Sequence, residues 1–254
     1  RTLERMTSNV FKAVLLGVVV TAAVQSSSAT TVIVVGLVNA GILKLRQALG
    51  VIMGANIGTT VTAHIIRLTD IGGDNFALQM LSPKTLAPLM AVAGIVMIMA
   101  GKRNKIKETG QILMGIGVLF TGLFNMEAAV SVLQDSPQVA QLFVALKNPL
   151  LGVLAGAVVT AIIQSSSASV GILQALSASG LINFSSAFPI IMGQNIGTCV
   201  TPILSSIGAS KNAKRAAMVH LYFNIIGTLI FLVGVYTLNY FFPLPFWESP
   251  VTKG

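Results

Sequence analysis

Residues 17–62 read GVVVTAAVQSSSATTVIVVGLVNAGILKLRQALGVIMGANIGTTVT, and residues 156–201 read GAVVTAIIQSSSASVGILQALSASGLINFSSAFPIIMGQNIGTCVT. The two stretches align without a gap at an offset of 139, with 23 of 46 pairs identical. The identities gather at Gln25, Ser26, Ser27, Ser28 and Ala29, at Gly54, at Asn56, Ile57, Gly58 and Thr59, and at Thr62. These are polar or glycine positions in apolar surroundings. A duplication that only built a core would keep its apolar pattern and let such positions drift. This one keeps groups that are costly to bury, which predicts that the repeated residues do chemistry or binding together.

The flanking chain sets the environment. It is 54% hydrophobic and 9% charged, far below the ~25% charged of a soluble domain, so the composition predicts an integral, multi-pass membrane protein. The net charge of +9 needs no nucleic acid partner, because the basic residues fall between apolar segments. The single cysteine, Cys199, excludes an internal disulfide.

The spacing predicts an all-α fold. Around each QSSS lie two apolar arms of about 14 residues, or ~21 Å of helix, too short for the ~30 Å hydrocarbon core. Residues 10–43 and 149–182 are therefore expected to be re-entrant helical hairpins with QSSS at the tip. Each is followed by a segment, 48–68 or 187–207, expected to be a transmembrane helix broken at its Asn-Ile-Gly run. Residues 84–101, 110–125 and 216–242 read as further crossings, and 126–147 as an interfacial amphipathic stretch divided by Pro137. The first repeat unit is assigned to 1–108 and the second to 109–254.

Charge supports that threading. If both hairpins return to the side they enter from, 12 basic residues share one face (Arg1, Arg5, Lys12, Lys44, Arg46, Lys102, Arg103, Lys105, Lys107, Lys211, Lys214 and Arg215), against Arg67, Lys84, Lys147 and Lys253 on the other. The richer face is then cytoplasmic, and the two repeats are inverted relative to one another, the arrangement used for alternating access.

The duplicated core offers Gln, Ser, Thr and Asn oxygens and helix ends. It holds no set of His, Cys or carboxylate ligands for a transition metal. Neutral oxygens suit a weakly held hard cation such as Na⁺, and free N–H groups at half-helix ends suit an anion. The residues alone point to a sodium-coupled anion transporter. A passive anion channel is the alternative. An intramembrane serine hydrolase is a weaker one, since there is no G-x-S-x-G elbow and a duplicated serine triple is one nucleophile too many. No catalytic residue is assigned. His64 and His220 read as interfacial or hydrogen-bonded structural residues, Met53 and Met192 as packing residues, and Glu127 as a solvated helix-end group.

The paired QSSSATT and QSSSAS runs, each followed by GANIGTT or GQNIGTC at equal distance, resemble the duplicated signature of the type II sodium–phosphate cotransporter family and its bacterial relatives. The resemblance covers about residues 10–242. It implies Na⁺-coupled uptake of inorganic phosphate with no cofactor beyond the coupling ion. It implies a bilayer setting, the plasma membrane or the inner membrane of a bacterium, and a possible homodimer. It assigns phosphate to Ser26, Ser27, Ser28, Ser165, Ser166 and Ser167 and to Asn56, Thr59 and Asn195, which also shape the helix breaks, and sodium to Gln25, Gln164, Ser165, Thr198 and Thr201. Relative to that family the chain is expected to be a transport core lacking material at one or both ends.

Overall fold

The computed structural model describes residues 6–67, 83–131 and 146–249. Among these the chain is helical throughout. The helices are α1 (Val10–Val24), α2 (Ser27–Asn39), α3 (Leu45–Arg67), α4 (Pro83–Ala100), α5 (Asn104–Ser131), α6 (Pro149–Ile163), α7 (Ser166–Ala178), α8 (Phe184–Gly197), α9 (Val200–Ser205) and α10 (Lys211–Phe241). The run Asn104–Met126 of α5, the run Phe184–Ser205 through α8 and α9, and α10 are long and apolar enough to cross a membrane. Most of the interfacial stretch expected at 126–147 lies outside the described residues, and α5 continues through its first six positions.

The short helices come in the expected pairs. α1 and α6 have 15 residues each, and α2 and α7 have 13 each. Both first arms start on an asparagine cap: Asn9 Oδ1 accepts from Phe11 N and Asn148 Oδ1 from Leu150 N, each at 3.0 Å. Their outward faces match residue for residue at the repeat offset. Phe11, Leu15 and Val19 of α1, and Leu150, Leu154 and Val158 of α6, are all exposed, as a face turned to lipid requires.

Glycine sets how closely the pairs pack. α1 crosses α3 with Gly17 against the carbonyl of Val51 and Gly54 against that of Val14. α6 crosses α8 with Gly156 against Ile190 and Gly193 against Val153. A Cβ at any of the four would overlap backbone, so the axes approach as only small residues allow. One contact is traded between repeats. Gly50 receives the Ala13 methyl, whereas at the equivalent positions Gly152 receives the ring of Pro189.

α4 and α5 form an antiparallel pair through Gly94, Gly110 and Gly117. Buried Ala13, Val34, Val35, Val38, Ile52, Ala213 and Ala217 join α1, α2, α3 and α10 in the largest core cluster. The second arm of each pair reaches into the other repeat: α2 packs on α9 and α10, and α7 packs on α3.

Two sequence expectations are corrected here. The segment expected to be a broken helix at 48–68 is one continuous 23-residue helix, α3, running through Asn56, Ile57 and Gly58. Gly54 and Gly58 serve the packing on α1, and the i→i−4 ladder carries them. In the second repeat the helix also runs through Gly193-Gln194-Asn195-Ile196-Gly197, and its interruption falls later, at Thr198 and Cys199. Both residues stay in the right-handed helical region, so the chain tightens rather than unwinds, with Cys199 N bonding Ile196 O at 3.0 Å. The cause is Pro202, which has no N–H to give the carbonyl of Thr198. The first repeat has Ala63 at that position, and α3 continues.

Candidate functional site

The two QSSS turns share one backbone. Gln25 sits at φ 58°, ψ 26° and Gln164 at φ 57°, ψ 22°. They are the positive-φ non-glycine residues among those described, and each costs about 1–2 kcal/mol relative to a right-handed residue. The same cost accepted twice, at equivalent places, marks a turn held by its surroundings. In each the glutamine N–H closes the preceding helix, on Thr21 O or Thr160 O at 2.7 Å. The side chain of Gln25 also donates from Nε2 to Ala22 O.

The next serine caps the helix that follows. Ser26 Oγ accepts from Ala29 N at 3.1 Å and Ser165 Oγ from Ala168 N at 3.2 Å. Ser27 and Ser28 are then the first residues of α2, and Ser166 and Ser167 the first of α7. Their N–H groups have no carbonyl a turn behind them. Ser27 is 4% exposed and Ser28 8%, while Ser166 and Ser167 are half-buried. None of these four hydroxyls has a hydrogen-bond partner among the described residues. Each tip thus presents two N–H groups and two hydroxyls at the positive end of a helix, flanked by apolar arms.

Beside the second tip lies a polar cluster centred on Gln194, which the residues shared by the repeats do not include. Thr160 Oγ1 donates to Ser169 Oγ at 2.8 Å, Gln194 Nε2 donates to Ser169 O at 3.1 Å, and Thr198 Oγ1 donates to Gln194 O at 2.9 Å. Among the described residues Gln194 Oε1 and Thr201 Oγ1 are buried without a partner. Gln194 aligns with Ala55, so the first repeat has no counterpart. The usable signal was that difference, a glutamine inside a sequence otherwise conserved between the halves.

The remaining predicted residues separate. Thr59 Oγ1 is spent on Ala55 O at 3.1 Å. Asn195 is exposed. Asn56 bonds α10, donating from Nδ2 to Asn224 Oδ1 at 2.9 Å, with His220 Nε2 3.1 Å from its Oδ1. Among the described residues no hydrogen bond links the serines at 26–28 to those at 165–167, and no three His, Cys, Asp or Glu side chains converge as a metal site would need.

Paired short-helix ends carrying unsatisfied donors, beside three runs long and apolar enough to cross a bilayer, fit a membrane transport protein. The chain matches the Na⁺/Pi-cotransporter family profile over residues 1–128 and 129–241. It is 31% identical over 229 residues to YqeW of Bacillus subtilis (strain 168), covering 89% of this chain and 69% of that protein. It is 32% identical over 223 residues to the Escherichia coli (strain K12) protein named "Putative inorganic phosphate export protein YjbB", covering 87% of this chain and 39% of that one. Over 147 residues it is 35% identical to the sodium-dependent phosphate transport protein 2A of Ovis aries, covering 52% of this chain and 23% of that one. No solved structure matches it. The chain belongs to the Na⁺/Pi-cotransporter family, which is a transporter family and not an enzyme family.

Proposed function

We propose that the chain is the core of a secondary active transporter that moves inorganic phosphate coupled to Na⁺. The carrying observation is the pair of QSSS turns, each with two N–H groups and two hydroxyls at a helix start that have no partner among the described residues. A tetrahedral oxyanion takes such donors from several directions, and two facing tips would surround it. Sodium is assigned to Gln164, Ser165, Thr198 and Thr201 with Gln25 nearby. The unpartnered Thr201 hydroxyl and the carbonyl that Pro202 leaves without an N–H favour the second repeat for it.

In this reading residues 10–43 and 149–182 are re-entrant hairpins in inverted repeats of a plasma-membrane protein. The ungapped duplication, the 12-to-4 split of basic residues and the reciprocal packing of α2 on α9 and of α7 on α3 support it. The first unit is taken as 1–108 and the second as 109–254, a division that falls within the start of α5. The direction of net transport follows the combined Na⁺ and phosphate gradients, which accommodates relatives named for sodium-dependent phosphate transport and for phosphate export.

The test is accumulation of labelled phosphate in proteoliposomes under an inward Na⁺ gradient, with K⁺ as control. Accumulation above equilibrium that requires Na⁺ supports coupled transport. Equilibration without accumulation favours the channel reading. Within that assay, Gln164→Ala or Thr201→Ala should raise the Na⁺ concentration for half-maximal uptake. One lost oxygen in a low-dielectric site is worth about 1–3 kcal/mol, roughly 5- to 150-fold. Excess Na⁺ should restore phosphate affinity in both variants, because the coupling is reciprocal. Wild-type Na⁺ dependence in both would remove sodium from the second repeat.

A further inference from the structure

We propose that His220 and Asn224 of α10 are positioning residues of the transport site, clamping α3 of the first repeat to the α8/α9 joint of the second. The inference rests on the transport reading above for its functional consequence. Its geometry stands apart from the QSSS turns.

His220, Asn224 and Thr228 lie four residues apart on one face of α10, and they are 0%, 6% and 5% exposed. Polar side chains buried in a spanning helix are costly unless paired, and these three meet three different partners. Thr228 Oγ1 donates to Met192 O of α8 at 3.3 Å. Asn224 Nδ2 donates to His220 O at 2.9 Å and lies 3.2 Å from Cys199 Sγ. Asn224 Oδ1 accepts from Asn56 Nδ2, and Asn56 Oδ1 faces His220 Nε2.

The direction of this chain is fixed by one group that cannot flip. The backbone carbonyl of His220 can only accept, so the Asn224 atom facing it is Nδ2 and the other is Oδ1. Oδ1 demands a donor, which sets the Asn56 amide with Nδ2 toward α10. Asn56 Oδ1 then demands a donor in turn, so His220 carries its proton on Nε2. At the far end the Cys199 thiol donates to Asn195 O at 3.4 Å. Every link from His220 to the joint thus has a single sense, and one missing donor disturbs all of them.

The clamp ends where the sodium assignment begins. Cys199 lies between Thr198 and Val200, in the two-residue interruption that Pro202 imposes. Thr198 and Thr201 flank it in the chain. Holding Cys199 from α10 fixes how far that joint bends, and with it the spacing of those two oxygens. Asn56 is thereby a clamp residue of the first repeat rather than a phosphate ligand.

The test uses the chain as it is, because Cys199 is its one cysteine and is buried. Maleimide labelling of the folded protein in proteoliposomes reads the joint directly, and Na⁺-driven phosphate uptake reads the site. His220→Leu removes the donor to Asn56. It should speed labelling by about 10-fold through local opening and raise the half-saturating Na⁺ concentration by about 5-fold or more. Phosphate affinity at saturating Na⁺ should stay within about 2-fold. His220→Gln supplies an amide donor in its place and should return both quantities to within about 2-fold of the unaltered protein. Asn224→Leu, of similar branching, provides the same loss from the other link should His220→Leu fail to fold. A folded leucine variant with unaltered labelling and Na⁺ dependence overturns the clamp, as does a glutamine variant as impaired as the leucine one. Absence of Na⁺-driven uptake by the unaltered protein would instead overturn the transport reading, while the labelling ratios still decide whether α10 holds the joint.

Discussion

Gly193→Val is expected to prevent the second repeat from assembling. A Cβ at Gly193 would overlap the carbonyl of Val153 and stand 2.9 Å from the nitrogen of Ala157. Both are backbone atoms of α6, so no rotamer change relieves the clash. The helices must separate, and the Gly156 contact with Ile190 on the same seam separates with them. Overpacking a core side chain costs about 1–3 kcal/mol, and a clash with helix backbone belongs at or above the top of that range. In a bilayer no hydrophobic force draws the helices back together. The variant should be lost from the monodisperse fraction after extraction, or melt well below the unaltered protein, with no phosphate uptake. Gly36→Ala is the control. It lies in α2 with nothing within 4 Å of the added carbon, and the better helix propensity of alanine should leave stability equal or slightly higher. A Gly193→Val protein that extracts, melts and transports normally would refute the close crossing of α6 and α8.

The glycines show both what was legible in the sequence and how it misled. Gly54 and Gly193 stood out because the duplication kept them, and a repeated glycine beside Asn-Ile-Gly suggested unwound backbone. Their physical role is lateral. They let α3 and α8 touch α1 and α6, and hydrogen-bonded helix passes through them. The real interruption belongs to Pro202, which the duplication lacks and which a search for shared features passes over. The helical arms, by contrast, were readable from length alone, since apolar runs of 13 to 15 residues between polar turns have few other solutions. α5 ran beyond its apolar window because Lys105, Lys107 and Glu108 are good helix formers that hydropathy does not count. Asn56 could not have been paired with His220 from sequence. The contact joins residues 164 positions apart, and nothing local to either residue names the other.

The serines at the tips divide into two kinds, and that division carries the second large effect. Ser26 and Ser165 cap helices with their hydroxyl oxygens, whereas Ser27, Ser28, Ser166 and Ser167 have hydroxyls with no partner among the described residues. Ser27→Ala combined with Ser167→Ala should therefore leave the melting temperature near that of the unaltered protein, since no internal hydrogen bond is lost. Phosphate affinity should fall steeply. A hydrogen bond to a charged group is worth about 1.5–3 kcal/mol, so two lost donors amount to roughly 3–6 kcal/mol, or about 10²- to 10⁴-fold. The backbone N–H groups remain, so binding weakens without vanishing, and raising Na⁺ should not restore it. Ser165→Ala should show the opposite balance, with about 1 kcal/mol of stability lost with the cap and a smaller change in phosphate affinity. Titrating uptake against phosphate at saturating Na⁺, beside a melting curve for each variant, separates the two kinds. If the Ser27→Ala, Ser167→Ala double variant binds phosphate as the unaltered protein does, the tips do not hold the anion, and the free hydroxyls must be explained by packing alone.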